Sequence, residues 1–238
     1  MKNKIIIMSS YLPTSISKEA VEAQRRIVGH FMPEGCDFIQ IITRPIRDIH
    51  GPTLTKFVNE TDYKIYVLLD IDAIPLNKEI IPRMIKEAKA GKLIGCATRN
   101  GSRHIYPSPA CMAFSRKTYE KLGVDFLRGK RKLKPEEIAL EHRDYSKNNG
   151  VYGEGWVETD TAEKLTYRAE EMGIPVIKLM PTHIIKSIYK WPDGFELGQG
   201  TTYEDDVFHQ FETWRGMGLF LKKCKEIEEK INRGKNEK

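Results

Sequence analysis

The chain has 238 residues and a formal net charge of +6, with 40% hydrophobic and 30% charged residues. That length suits one domain with a sizeable core, and no apolar run approaches the roughly 18 to 20 residues of a membrane-spanning helix. The four cysteines, Cys36, Cys96, Cys111 and Cys224, are scattered without a C-x-x-C pair, so neither a structural zinc nor a disulfide framework is indicated.

Lys4 to Ser9 reads as a buried strand. Its apolar run is too short for a secretory leader, and the chain is expected to be cytoplasmic. Lys18 to His30 reads as a helix, with Ser17 as N-cap and Ala20, Val21, Ile27 and Val28 on its apolar side. A strand is expected over Asp37 to Thr43, a helix over Pro52 to Glu60, and a third strand over Lys64 to Leu69. In Asn77 to Ala90, Ile80, Ile81, Met84, Ile85 and Ala88 recur at helical spacing before Gly91.

Leu93 to Ala97 and Ala110 to Phe114 read as further strands, and Arg116 to Leu122 as a helix. A helix over Thr159 to Met172, a strand over Pro175 to Met180 and a last helix over Trp214 to Ile231 complete the series. The alternation predicts an α/β sandwich on a mainly parallel sheet, folded as one domain. No repeat or low-complexity linker divides the chain.

In such sheets ligands bind at the carboxyl ends of the strands. There the third strand runs into "YVLLDIDAIPL", with Asp70 and Asp72 one residue apart. Side chains at i and i+2 of an extended segment point the same way, so the two carboxylates converge. Buried carboxylates need donors or a cation, and a hard divalent ion with oxygen ligands fits. A helix cap is the plainer role, but Asn77 already fills it for the following helix.

"YKIYVLLDIDAIPL" resembles the D-x-D segment of the GT-A-fold glycosyltransferases that use nucleotide sugars, in a family-2-like manner. "SPACMAFSRKTYEKLG" is similar to the strand-then-helix stretch between the two acidic motifs of that group. "EGWVETDTAEKLTYRAEEMG" is similar to the second acidic motif, with Trp156, Glu158 and Asp160, although Thr159 separates the two acids. "IKLMPTHIIKS" places His183 after a strand, where a histidine often completes metal binding in the group.

The resemblance implies a three-layer α/β/α sandwich and transfer of a sugar from a nucleoside diphosphate sugar, a UDP-sugar first, to an acceptor hydroxyl with Mn²⁺ or Mg²⁺. It implies a nucleotide-binding half over residues 1–100, an acceptor-side half over 101–185, and a lid loop with the C-terminal helix over 186–238. Asp72 and Asp70 would take the metal, with Asp70 also near the nucleotide. His183 would supply an imidazole, with His209 as competitor. Asp160, then Glu158, would be the base of an inverting reaction; a retaining one needs neither, and Asp160 also suits a helix N-cap.

Ser9, Ser10 and Tyr11 at the end of the first strand offer hydroxyls and a ring to the nucleotide, or simply form a turn. Arg25 and Arg26 suit phosphates or surface ion pairs. In "LGQGTTYEDDVFHQF", Gly198 and Gly200 suggest a hinged lid or a plain turn. Tyr189 and Trp191 suit an acceptor groove or the core. The last helix, apolar on one side and lysine-rich on the other, suits docking onto the sheet or, less readily, an anionic membrane surface.

The basic excess lies mainly in the run Arg128 to Lys134 and in the tail from Lys222. These are solvated segments or a polyanion patch, and the acceptor is expected to be anionic if anything, a glycan or a modified nucleic acid. A nucleotidyltransferase on a similar sheet and a non-catalytic nucleic-acid-binding module are the competing functions. The first lacks its glycine-rich phosphate loop in "SSYLPTSISKEA", and the second leaves the strand-end aspartates without a role.

Overall fold

The computed structural model describes residues 4–43, 50–99, 104–132, 151–152, 156–213 and 216–236. Leu133, Lys134 and Trp214 lie outside them, as does the side chain of Trp156.

The central sheet holds β1 (Ile5–Tyr11), β2 (Cys36–Ile42), β3 (Ile65–Leu69), β5 (Leu93–Arg99), β6 (Ile105–Ser115) and β10 (Val176–Leu179), in the order β10-β5-β6-β3-β1-β2. β1 pairs in parallel with β2 and β3, and β10 with β5, while β6 runs antiparallel to both β3 and β5. The sheet is thus mainly parallel, as the alternation of elements predicts.

Period-two alternation divides the core. Ile5, Ile7, Ile65, Val67 and Leu69 face α3 (Ile80–Lys89) and the end of α1 (Lys18–Phe31). Ile6, Met8, Tyr66 and Leu68 face α2 (His50–Glu60), α4 (Arg116–Leu122) and α5 (Glu163–Glu171). Each fully buried Ile, Val or Leu contributes about 1.5–3 kcal/mol, so these two faces supply most of the drive to fold. In a third cluster α1 packs on α6 (Gly218–Asn236) through Ala20, Val21, Ile27, Phe220, Cys224 and Ile227. The apolar side of the last helix is therefore covered by protein.

Ser17 caps α1, accepting from Ala20 N at 3.2 Å. Asn77 Oδ1 accepts from Glu79 N and Ile80 N at 3.0 and 3.3 Å, so the helix expected from Asn77 begins at Ile80.

Other boundaries differ for physical reasons. β6 starts at Ile105, well before the expected Ala110, and carries Pro107 and Pro109; β5 meets it with an irregular register between Gly95 and Ala97. The helix expected from Thr159 starts at Glu163. Thr159 instead ends β9 (Trp156–Thr159), which pairs with β7 (Gly129–Lys132) and β8 (Val151–Tyr152). The largest departure follows residue 180. β11 (Pro181–Lys190), β12 (Glu196–Tyr203) and β13 (Val207–Gln210) join β4 (Ala73–Pro75) in an antiparallel sheet, order β11-β12-β13-β4. The segment expected as a glycine-hinged lid is the β12–β13 hairpin. Its turn runs from Tyr203 to Asp206 with positive φ at Glu204 (48°) and Asp205 (58°), closed by Asp206 N donating to Tyr203 O at 2.9 Å.

Candidate functional site

Where β3 ends, Asp70 N donates to Ala110 O on β6 at 2.9 Å, and Ala73 N donates to Asp70 O at 2.9 Å, which closes a turn. Gln24, fully buried on α1, donates to Asp70 O (2.6 Å) and Ala73 O (3.0 Å), and its own oxygen accepts from Gln40 Nε2 at 3.0 Å. The carbonyls of the turn are thus satisfied from inside, and the two carboxylates are left to line a cavity.

The turn feeds β4, and β4 pairs with β13: Ala73 stands opposite His209 and Ile74 opposite Phe208, while Gln210 N donates to Asp72 O at 3.0 Å. One ligand atom each from Asp70, Asp72 and His209 lies within 4.8 Å of the others. His209 Nε2 is 3.3 Å from Asp72 Oδ1, with the two side chains 8% and 12% exposed, and Asp72 Oδ1 and His209 Nδ1 are buried without a hydrogen-bond partner. The His209 ring stands edge-on to Phe211, 4.2 Å between centroids, which fixes its tilt.

The imidazole that joins the aspartates is therefore His209, and not the preferred His183. His183, on β11, is 71% exposed and pairs with Asp205 Oδ1 at 3.0 Å.

Beside the carboxylates opens a cavity of about 250 Å³ lined by Ser10, Tyr11, Thr43, His50, Asp70 and Asp72, among others. Ser9, which precedes Ser10 in β1, is fully buried, with an unpartnered Oγ. His50, the first residue of α2, was not expected here. Its Nε2 is 2.9 Å from Asp70 Oδ1. Burial alone would lower the His50 pKa, but the charge and hydrogen bonding of Asp70, helped by the charges of Asp160 and Asp72, raise it overall. Burial likewise pushes Asp70 up, and His50, with a smaller effect from His209, pulls it below the usual carboxylate range.

Asp160 follows β9 and accepts from Tyr106 Oη (3.1 Å), Arg128 Nε (3.2 Å) and Thr161 N (2.8 Å). It is not the cap of α5: Ala162 holds that position in the left-handed region at φ 69°. Burial, then the charges of Asp160 and Glu163, push the Tyr106 phenol well above its ordinary value. Glu163, fully buried, was not expected to matter. Its Oε2 accepts from Asp160 N at 3.1 Å and its Oε1 lies 3.4 Å from Arg131 Nε. Glu158 is exposed on β9.

Other residues take their plainer roles. Arg25 contacts Glu22 and Gln40, both at 3.0 Å, and Arg26 contacts Glu228 at 2.7 Å, so neither arginine lines the cavity. Trp191 is 9% exposed and packs on Phe195 and on Arg99, which grips Asp193 with two hydrogen bonds of 2.9 and 2.7 Å. Tyr189 is 45% exposed.

No family model and no curated protein sequence matches the chain. Among solved structures it is similar to the mannosyltransferase PcManGT of Pyrobaculum calidifontis in complex with GDP-Man and Mn²⁺, at 11% identity and a TM-score of 0.43, over 75% of this chain and 55% of that one. It is also similar to the β-1,4-galactosyltransferase 7 of Drosophila with manganese, UDP-Gal and xylobiose, at 11% identity and a TM-score of 0.36, over 82% and 91% of the two chains. The 4-diphosphocytidyl-2C-methyl-D-erythritol synthase of Anaerococcus prevotii overlaps it at 12% identity and a TM-score of 0.33, over 73% of this chain and all of that one. The chain spans about half the length of the mannosyltransferase. Among the described residues no helix is long and apolar enough to cross a membrane.

Proposed function

We propose that the chain is a metal-dependent glycosyltransferase that moves a sugar from a nucleoside diphosphate sugar to an acceptor hydroxyl. The observation that carries the reading is the convergence of Asp70, Asp72 and His209 within 4.8 Å, beside a cavity walled by Ser10, Tyr11 and Thr43. The residues fit a cation: Asp72 Oδ1 is buried, makes no hydrogen bond and has the His209 imidazole 3.3 Å away, an arrangement that a shared positive ion would satisfy. Two carboxylates and one imidazole suit Mn²⁺ better than Mg²⁺. A cation held there would supply charge neutralisation as a diphosphate leaves the anomeric carbon.

The chain's own groups do the rest. Ser10, Tyr11 and Thr43 hold the nucleoside against the edge of the sheet, with a UDP-sugar as the first donor to try. Asp160 takes the acceptor's hydroxyl proton on a carboxylate oxygen. Arg128 and Tyr106, at 3.2 and 3.1 Å, fix the rotamer of that carboxylate. Glu158, exposed on β9, stands by on the acceptor side.

Thermal shift with UDP-, GDP- and TDP-sugars, each with and without Mn²⁺, tests the reading. Stabilisation that requires nucleotide and metal together supports it. No nucleotide response, combined with salt-sensitive binding to DNA or RNA, overturns it in favour of a polyanion-binding module.

A further inference from the structure

Asp70 is flanked on two sides. Toward the small sheet it meets Asp72 and His209. Toward α2 it meets His50, whose buried Nε2 lies at ion-pair distance, 2.9 Å, from Asp70 Oδ1 but outside hydrogen-bond alignment with it. His50 falls outside the trio of converging ligand atoms and lines the same cavity as Asp70 and Asp72.

The start of α2 is placed with little freedom. A Cβ on Gly51 would come within 2.5 Å of Phe126 O and 3.2 Å of Phe126 C, so only glycine allows the helix to press against that backbone. Phe126 N donates to Thr55 Oγ1 at 3.1 Å one turn further along α2, and Asp125 Oδ1 is held by Lys164 Nζ of α5 at 2.8 Å. The helix therefore cannot slide away from the strand end, and its first side chain is delivered to Asp70.

We propose that His50 is a positioning residue, set by Gly51, which holds the Asp70 carboxylate in the rotamer that binds the cation. The inference rests on the reading of Asp70, Asp72 and His209 as the cation centre. Carboxylates that bind metals are commonly fixed by an outer hydrogen-bond donor, and losing such a partner costs about 10- to 100-fold in metal affinity. Alanine at position 50 frees Asp70 to rotate. Glutamine places an amide N–H where the imidazole Nε2–H stood.

The test is Mn²⁺ affinity of the full chain without donor, read by calorimetry and by the electron paramagnetic resonance of free Mn²⁺, with the melting temperature of each variant alongside. The expected result is an affinity about 10- to 100-fold weaker in His50→Ala and largely restored in His50→Gln. Wild-type affinity in His50→Ala overturns the proposal and leaves the cation centre standing. Equal losses in both variants, matched by equally lowered melting temperatures, overturn it in favour of a purely structural histidine. A wild-type chain that binds no Mn²⁺ overturns the cation centre and this proposal together.

Discussion

His209 stands opposite Ala73 in the ladder between β13 and β4, which brings its Nε2 to 3.3 Å from Asp72 Oδ1. A strand from the last quarter of the chain thus completes a site begun at the end of β3. Strand pairing is what sets His209, and not His183, beside the two aspartates.

The clearest consequence concerns those histidines. His209→Ala is expected to weaken Mn²⁺ binding by more than about tenfold. His183→Ala, which removes only an exposed pair with Asp205, should leave it unchanged. Asp72→Asn should abolish metal-dependent donor binding while the melting curve stays cooperative. Calorimetry on the three variants checks all of this, and a loss in His183→Ala equal to that in His209→Ala would contradict the geometry.

Asp160→Asn separates proton transfer from binding. Its turnover is expected to drop by about 10²- to 10⁴-fold with donor affinity unchanged. Steady-state kinetics beside donor titration reads both quantities, and unchanged turnover removes Asp160 as the base.

Gly198 holds the hairpin that carries His209. A Cβ there would meet Ile185 O at 2.5 Å and Ile184 Cγ2 at 2.6 Å, and the backbone oxygen cannot yield without moving β11. Gly198→Ala should destabilise the fold by about 1–3 kcal/mol in urea unfolding. Because the shift passes through β12 to β13, Mn²⁺ affinity should fall as well.

Acid stability has an identifiable contributor at Glu170. Burial alone would raise its pKa, but hydrogen bonds from His104 (2.9 Å) and Lys178 (2.8 Å) pull it down to about 2. A depressed carboxylate stabilises the fold fully above its unfolded value of 4.5 and loses that contribution as pH falls toward 2. The side chain is 38% exposed, so screening leaves about 1 kcal/mol. His104, raised in turn by Glu163 and Glu170 against the pull of burial, contributes in the opposite sense: fully below 6.5, fading as pH rises through its folded value. Melting temperature followed from pH 6 to pH 2 should drop less steeply in Glu170→Gln than in the wild type.

Much of the central sheet was legible because its signals are local. β3 is an unbroken apolar run, α3 repeats Ile and Met at helical spacing, and Asp70 and Asp72 stand out where the apolar run stops. His209 could be named only as a competitor of His183, because β13 is four residues long and its register depends on β4, far away in the chain. One clue was present: Asp205 and Asp206 are residues common in turns, and the three residues Glu204 to Asp206 do join the two strands, yet Gly198 and Gly200 draw attention to flexibility instead. His50 and Glu163 were invisible for another reason. A histidine opening a helix and a glutamate within one carry no pattern, and only packing shows that the first reaches Asp70 while the second is sealed against Arg131.

The long separation between β4 and β13 also orders events in time. Closing so large a loop is entropically expensive, so such a contact tends to form after the local helices and the neighbouring parallel strands. A chain returning from denaturant is therefore expected to regain helical circular dichroism early, while His209 rejoins the two aspartates only when the last strand has docked.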